Sequence, residues 1–337
     1  MMKGLFFLIG FFSLFVNAQT GRQRFAVLGD YKVENGGIIK NCRIGYRSFG
    51  KINSDSTNII LVCTWFSGRS EGVSSVFCDK DGFIDTTIFH VIVVDGLGNG
   101  ISSSPSHYRE KGVGAFPFIS IADMVHTQHQ LLTKHLRIKH LYAVAGISMG
   151  GMQVFQWMVS FPDFMDKAIS INGTPRQSSY DKLLWNTELS ALEVVKKCKP
   201  CLPQALQTVA MIHELHLYTP AYRIKQTSAE QYENFVKKEV RYSANFHYLD
   251  WIAQLRAMIS HDVVKDKSWA ALKERIKAKA LVIVALQDIM VNPSTSIEFA
   301  RQLSLPLIEL QAICGHQSPG SCDKEYVKKE IRQFLNQ

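Results

Sequence analysis

An α/β fold, with a mostly parallel central sheet, helices on both faces and a helical cap insertion, is predicted by three features of the 337-residue chain. Short apolar, β-branched runs alternate with amphipathic helical stretches, the pattern of βαβ units. The run Leu141-Tyr-Ala-Val-Ala-Gly-Ile147 breaks at a glycine turn and passes directly into helical periodicity. Between about 175 and 279 the strand pattern stops and helices take over, until an apolar strand resumes at Ala280.

The chain opens with one early lysine, Lys3, an apolar run from Gly4 to Val16, and Ala18 at a small-residue cleavage point. This is the pattern of a secretory signal peptide over 1–18. The run is shorter than the roughly 20 residues a spanning helix needs. An exported protein, periplasmic or extracellular, is therefore expected, with residues 19–337 forming one large domain. Its seven cysteines make disulfides reachable in such a compartment. Cys198-Lys-Pro-Cys201 is expected to bridge locally, since a thioredoxin-like pair opens a helix directly after a βα strand and this one lies in a polar helical region. Cys314 and Cys322 flank His316, and a bridge there would tie down its loop. Cys63 closes an apolar strand and reads as a buried thiol, while the pairing of Cys42 and Cys78 is left open.

The formal charge of +9 raises the question of nucleic acid or an anionic surface. The contributing lysines (Lys196, Lys197, Lys199, Lys237, Lys238, Lys273, Lys277 and Lys279) are interleaved with acids and apolar residues at helical spacing, so they read as solvated helix faces. No nucleic-acid partner is expected.

Phe25 to Lys32 and Ile39 to Gly50 alternate in polarity and are joined by Asn35-Gly-Gly37, which predicts an antiparallel hairpin at the sheet edge. Asn58 to Cys63 is nearly continuous apolar sequence, as expected of a strand buried on both faces of a parallel sheet. Ile88 to Val94 is the next such strand. It runs into Asp95-Gly-Leu-Gly-Asn-Gly100, a small, polar loop expected to be flexible. That loop lacks the dinucleotide fingerprint, because the glycine spacing is wrong and no helix opens at the third glycine. Ile119 to Leu136 has helical periodicity, Lys167 to Asn172 is a strand, and the helical segment that follows is rich in aromatics: Trp185, Tyr218, Tyr222, Tyr232, Tyr248 and Trp251. It reads as a cap over the site. His213-Glu-Leu-His216 fails the His-Glu-x-x-His metal spacing by one residue, so no metal is expected. Strands follow at Ala280 to Ala285 and Pro306 to Ile313, and a terminal helix at about Lys324 to Phe334.

The chemistry centres on Gly146-Ile-Ser-Met-Gly150. Small residues on both sides let the backbone bend sharply enough to hold the Ser148 hydroxyl at the head of the sheet, and the helix N-terminus behind it offers amides and a positive dipole end to a developing oxyanion. Met149 would supply one amide. Thr64-Trp-Phe66, one loop after the third strand, would supply the second from Trp65 or Phe66. Asp288 stands just beyond the strand at 280–285 and His316 follows the last strand, giving the order Ser, Asp, His of α/β-hydrolases. The expected roles are nucleophile for Ser148, general base for His316, and orienting carboxylate for Asp288.

Phe116-Pro-Phe-Ile-Ser-Ile-Ala-Asp-Met-Val-His-Thr-Gln128 and Gly146-Ile-Ser-Met-Gly-Gly-Met-Gln-Val-Phe-Gln-Trp157 together resemble the homoserine O-acetyltransferase family of α/β-hydrolases, more loosely from about Tyr31 to the C-terminus. The resemblance implies ping-pong acyl transfer through an acetyl-serine and a helical cap forming a tunnel to it. It also implies that Arg223, in Tyr222-Arg223, meets a substrate carboxylate. Two positions depart from the family. Ile147 stands where the family has a second glycine, and Gln317 replaces the aspartate after the catalytic histidine that takes the amino group of homoserine. A neutral amide cannot supply that charge. An esterase-type hydrolase of small acyl esters, needing no cofactor, is therefore expected ahead of an acetyl-CoA-dependent transferase, with a catalytically silent binding module third. The oligomeric state is not fixed by the sequence, a homodimer being one possibility.

Overall fold

The structure, a computed structural model, describes residues 21–108, 115–196, 198–244 and 246–337. The leader expected at 1–18 lies outside them. The N-terminal hairpin forms as expected: β1 (Arg24–Lys32) and β2 (Ile38–Phe49) pair antiparallel across the Asn35-Gly36 turn. β3 (Ile59–Cys63) is buried at every position and is followed by α1 (Ser70–Phe77) and β4 (His90–Val94). β4 starts two residues later than the apolar run suggests, because Ile88 is half-exposed and its amide is spent in a turn on Asp85 O.

The loop after β4 is not the pliable segment its composition suggests. Asp95, Asn99, Ser102 and Ser104 are buried. Asp95 accepts from the Ser70 amide at 2.7 Å and from Asn99 Nδ2 at 2.9 Å, and Ser102 Oγ donates to Asp95 O. Small polar side chains here replace water as hydrogen-bond partners, which fixes a loop that composition alone would leave loose.

α2 (Ile121–Gln130) begins with a capping box in which Ser120 and Asp123 satisfy each other's amides at 3.0 and 2.9 Å, and it continues through a π-helical turn at Leu131–His135. Asp123 also accepts from Tyr31 Oη at 3.1 Å and from the Glu34 amide at 3.0 Å, tying the hairpin to this helix. β5 (Leu141–Ile147), α3 (Met149–Ser160) and β6 (Met165–Ile171) follow. Then come the helices α4 (Ser179–Glu193), α5 (Leu202–Leu217), α6 (Pro220–Gln226), α7 (Tyr232–Ala244), α8 (Tyr248–Ile259) and α9 (Trp269–Arg275). α9 returns to the sheet layer, where Trp269 packs edge-on against Phe299 of α10 (Ser294–Leu303). β7 (Lys279–Ala285), β8 (Leu307–Leu310) and α11 (Lys324–Leu335) complete the chain, β8 being shorter than the apolar stretch that contains it.

The sheet runs β1-β2-β4-β3-β5-β6-β7-β8 and is parallel from β4 onward. One core cluster packs on each face. Each fully buried Ile, Leu or Val contributes roughly 1.5–3 kcal/mol, so the uninterrupted apolar character of β3 is what holds it at the sheet centre. The chain winds from β3 to β4 in one direction, then returns past β3 to build outward from β5. The carboxyl ends of β3 and β5 thus meet at the topological switch point, where Cys63 pairs with Gly146 and where crevices form in open α/β sheets. Lys199, Lys237 and Lys273 are exposed on helical segments as expected, whereas Lys277 and Lys279, also exposed, lie in the connection to β7 and at its first residue rather than on a helix face. Among the described residues, no helix is long and apolar enough to cross a membrane.

Candidate active site

Ser148 sits between β5 and α3 with φ 58° and ψ −122°, a backbone conformation that non-glycine residues adopt only under constraint. The constraint is visible. A Cβ on Gly146 would lie 2.4 Å from the Gly150 carbonyl carbon, and one on Gly150 would lie 2.6 Å from Cys63 O, so only glycine fits at either side of the turn. The Ser148 amide donates to Ile171 O at 2.9 Å, which pins the turn to β6. Ile147, the departure from the glycine of the resembled family, lines the cavity beside it.

His316 and Asp288 arrive on the loops after β8 and β7. His316 Nδ1 lies 2.6 Å from Asp288 Oδ2, and both residues are buried. The other carboxylate oxygen accepts the amides of Met290 at 2.8 Å and Val291 at 2.9 Å, so the aspartate cannot swing away. With Nδ1 engaged, Nε2 is the imidazole nitrogen left to take a serine proton. Ser148 and His316 line the same cavity, of about 650 Å³. The His316 loop is held in three places. Asn172 Nδ2 donates to His316 O at 2.9 Å, the Cys314–Cys322 disulfide closes the loop, and Thr219 Oγ1 donates to Ile313 O.

Met149 is the first helical residue of α3, so its N–H has no intrahelical acceptor; its side chain is buried and does not line the cavity. Trp65 and Phe66 line the cavity on the loop after β3. That loop is fixed by glutamines that sequence reading did not single out. Gln153 Nε2 donates to Thr64 O at 2.9 Å and Met149 O at 3.1 Å, while its Oε1 accepts from Gln128 Nε2 at 2.6 Å. Trp157 Nε1 donates to Gln128 Oε1 at 2.8 Å. From the helical side, Gln254 Oε1 accepts the Ser67 amide at 2.8 Å and its Nε2 donates to Leu97 O at 3.2 Å. All three glutamines are buried. Their only sequence signal is an amide-bearing residue on an otherwise apolar helix face.

Of the remaining expected site residues, Gln317 lines the cavity and Arg223 does not. The Arg223 guanidinium pairs with Glu214 at 3.2 Å and lies over the rings of Tyr218 and Phe235; Glu214 is the member of that pair that reaches the wall. Trp185 and Trp251 line the cavity, whereas Tyr218 and Tyr222 stack on each other, with ring centroids 4.7 Å apart. The Cys198–Cys201 bridge is present at the start of α5, and Cys42, Cys63 and Cys78 are buried free thiols that burial pushes well above the ordinary range, into an unreactive state.

A serine at a strained strand-helix turn, a carboxylate-held imidazole facing the same cavity, and an amide-bearing loop across the switch point define an enzyme of the serine hydrolase and acyl-transfer class. The chain belongs to the α/β hydrolase fold family, whose model matches residues 77–316. Within it the chain is similar to homoserine O-acetyltransferases: that of Trichormus variabilis is 26% identical over 338 residues, 90% of each chain. The chain is also 34% identical to the ethyl acetate hydrolase of Pseudomonas veronii over 190 residues, 56% of this chain and 54% of that one, so the match spans about half of that relative. An acetylester hydrolase structure from Corynebacterium glutamicum superposes with a TM-score of 0.85 over 94% of this chain and 96% of that one, at 23% identity.

Proposed function

We propose that the protein is an exported serine esterase that hydrolyses small acyl esters through an acyl-enzyme on Ser148. The observation that carries the reading is the His316–Asp288 pair at 2.6 Å, facing the cavity that Ser148 lines. In the reaction His316 Nε2 takes the Ser148 proton as the hydroxyl attacks the ester carbonyl. The tetrahedral oxyanion is received by the Met149 amide and an amide of Trp65 or Phe66. The imidazolium, stabilised by Asp288, returns its proton to the departing alcohol. Water then repeats the sequence on the acyl-serine.

Water or a small alcohol is preferred to homoserine as acceptor on two grounds. Gln317 lines the cavity and stands where the resemblance to the homoserine O-acetyltransferases implies a carboxylate for the substrate ammonium; loss of such a charge-assisted hydrogen bond costs about 1.5–3 kcal/mol, roughly a ten- to hundredfold handicap. Export would also separate the enzyme from cytosolic acetyl-CoA. Export itself rests on the leader pattern and on two disulfides in keeping with an oxidising compartment. N-terminal sequencing of protein recovered outside the cytoplasm tests it, and a start upstream of Gln19 would overturn cleavage there. The runner-up, acetyl-CoA-dependent homoserine acetylation, draws support from the full-length likeness to the Trichormus transferase. Incubating the protein with acetyl-CoA and L-homoserine, and separately with a panel of short acyl esters, separates the two. Ester hydrolysis is expected to dominate; faster O-acetylhomoserine formation would reverse the assignment while leaving the triad in place.

A further inference from the structure

The helical side of the cavity carries a second carboxylate–imidazole pair that the reaction above does not use. Glu188, on α4, is fully buried with both oxygens engaged: Oε1 lies 3.1 Å from His213 Nδ1, and Oε2 accepts from Trp251 Nε1 at 3.2 Å. The His213 ring packs between Phe66 and Trp251, with centroids 5.5 and 5.6 Å away. Its side chain nevertheless keeps 20% exposure and lines the cavity. Nδ1 is the ring nitrogen turned to the carboxylate, and Nε2 has no protein partner among the described residues.

That geometry makes Nε2 a switchable group. With Nδ1–H committed to Glu188, the imidazolium donates from Nε2, whereas the neutral ring can only accept there. The charged groups facing it are Glu188 from α4 and Glu214 from its own helix, the latter paired with Arg223 of α6. The neighbours from the loop after β3 and from α8 are the uncharged rings of Phe66 and Trp251. Burial alone favours the neutral ring, but the two glutamates outweigh it and hold His213 above the ordinary histidine value, so the donor form persists to higher pH than in an ordinary histidine. Beside His213 the wall carries the rings of Trp185, Phe66 and Trp251, and an alkyl ester lying against them would cover this donor without giving it an acceptor.

We propose that His213 is a specificity-determining residue that donates from Nε2 to a second acceptor oxygen of the substrate, so that the cavity selects acyl esters bearing a ketone or carboxylate beyond the scissile bond over plain alkyl esters of equal length. The ester part of this statement rests on the proposed function; the acceptor-oxygen part does not. An unmatched charged donor is expected to discriminate by on the order of tenfold to a hundredfold.

The test compares ethyl levulinate with ethyl pentanoate, and pentyl acetate with its counterpart carrying a ketone one carbon from the chain end. The oxygen is thereby placed on the acyl side and then on the alcohol side. Wild type should prefer the keto ester in at least one pair by about tenfold or more in kcat/KM. That ratio should collapse in His213→Phe and be partly restored in His213→Gln, which keeps a donor. It should also be lost as pH rises through the titration of His213, and at lower pH in Glu188→Gln. Equal ratios in wild type and His213→Phe, or no preference in either pair, would overturn the proposal. If wild type hydrolyses no ester at all, the esterase reading fails instead. Calorimetric binding of ethyl levulinate against ethyl pentanoate to Ser148→Ala, with and without His213→Phe, then decides the acceptor-oxygen proposal: a keto preference lost with the second substitution supports it, and an unchanged ratio sinks it.

Discussion

At the carboxyl edge of the sheet, Ser148 is held by its own glycine turn and Asp288 by the amides of Met290 and Val291, while His316 sits on a loop beyond β8 that Asn172, Thr219 and a disulfide tie down. On the helical side, His213 is placed instead by Glu188 and Trp251, residues of two other helices far away in sequence. The two regions also differ in finish. The turn around Ser148 leaves no room for a single added carbon at Gly146 or Gly150, whereas the helices above it leave Leu183, Leu215 and Ile224 exposed at 69%, 67% and 78%. The nucleophile turn and the orienting carboxylate, needed for every acyl transfer, are built where the chain can specify them locally. The group argued to choose the substrate is built where specification requires several helices to pack together.

The largest expected effect lies on the sheet side. Asp288→Asn keeps the packing but leaves the imidazole in the wrong tautomer, and should lower kcat for a short p-nitrophenyl ester about ten-thousandfold. A loss below tenfold would mean that the carboxylate only supports the loop.

The second prediction concerns the junction between the regions. His261, just beyond α8, is buried, and burial depresses its pKa from 6.5 to about 4. Between those values the unfolded chain binds a proton that the folded chain does not. Stability that is fully present above about pH 6.5 is therefore lost on acidification, by about 3 kcal/mol at pH 4 and below. Denaturant titrations of wild type and His261→Gln across this range should show a shallower acid slope for the variant; parallel slopes would remove His261 from the account.

The third prediction sets the two disulfides against each other. Peptide mapping without reduction should find Cys198 with Cys201 and Cys314 with Cys322. Opening the latter should cost about 2.5 kcal/mol on loop-closure grounds and lower kcat through the His316 loop, whereas opening the bridge on the helical side should leave kcat nearly untouched. Equal effects on kcat would erase the contrast. Smallest is Gln254→Ala, which frees the Ser67 amide and should reduce kcat about tenfold with KM little changed, as expected when an oxyanion donor is loosened rather than removed.

The same contrast explains what was legible in the sequence. The strand segments, the glycine turn, and the Asp288 and His316 positions are written in short stretches whose meaning is set by sterics and by alternation between buried and exposed faces. Gln128, Gln153, Gln254 and the Glu188–His213 pair are not legible that way. Each is a polar residue on a helix whose partner lies on another element, and only the packed chain reveals that it is satisfied rather than solvated. The loop after β4 misled for the same reason: its small polar residues read as flexible until Asp95 and the buried serines were seen to bond one another. Arg223 was placed near substrate by resemblance alone, and Glu214 stands between it and the cavity wall.

Rapid quenching of the protein with a short p-nitrophenyl ester, followed by intact-mass and peptide analysis, tests the central claim most directly. The account predicts a mass increase of one acyl group, located on the peptide containing Ser148, formed with the burst of nitrophenol and absent in Ser148→Ala. Undiminished turnover in Ser148→Ala, or an acyl group carried on any other residue, would contradict it.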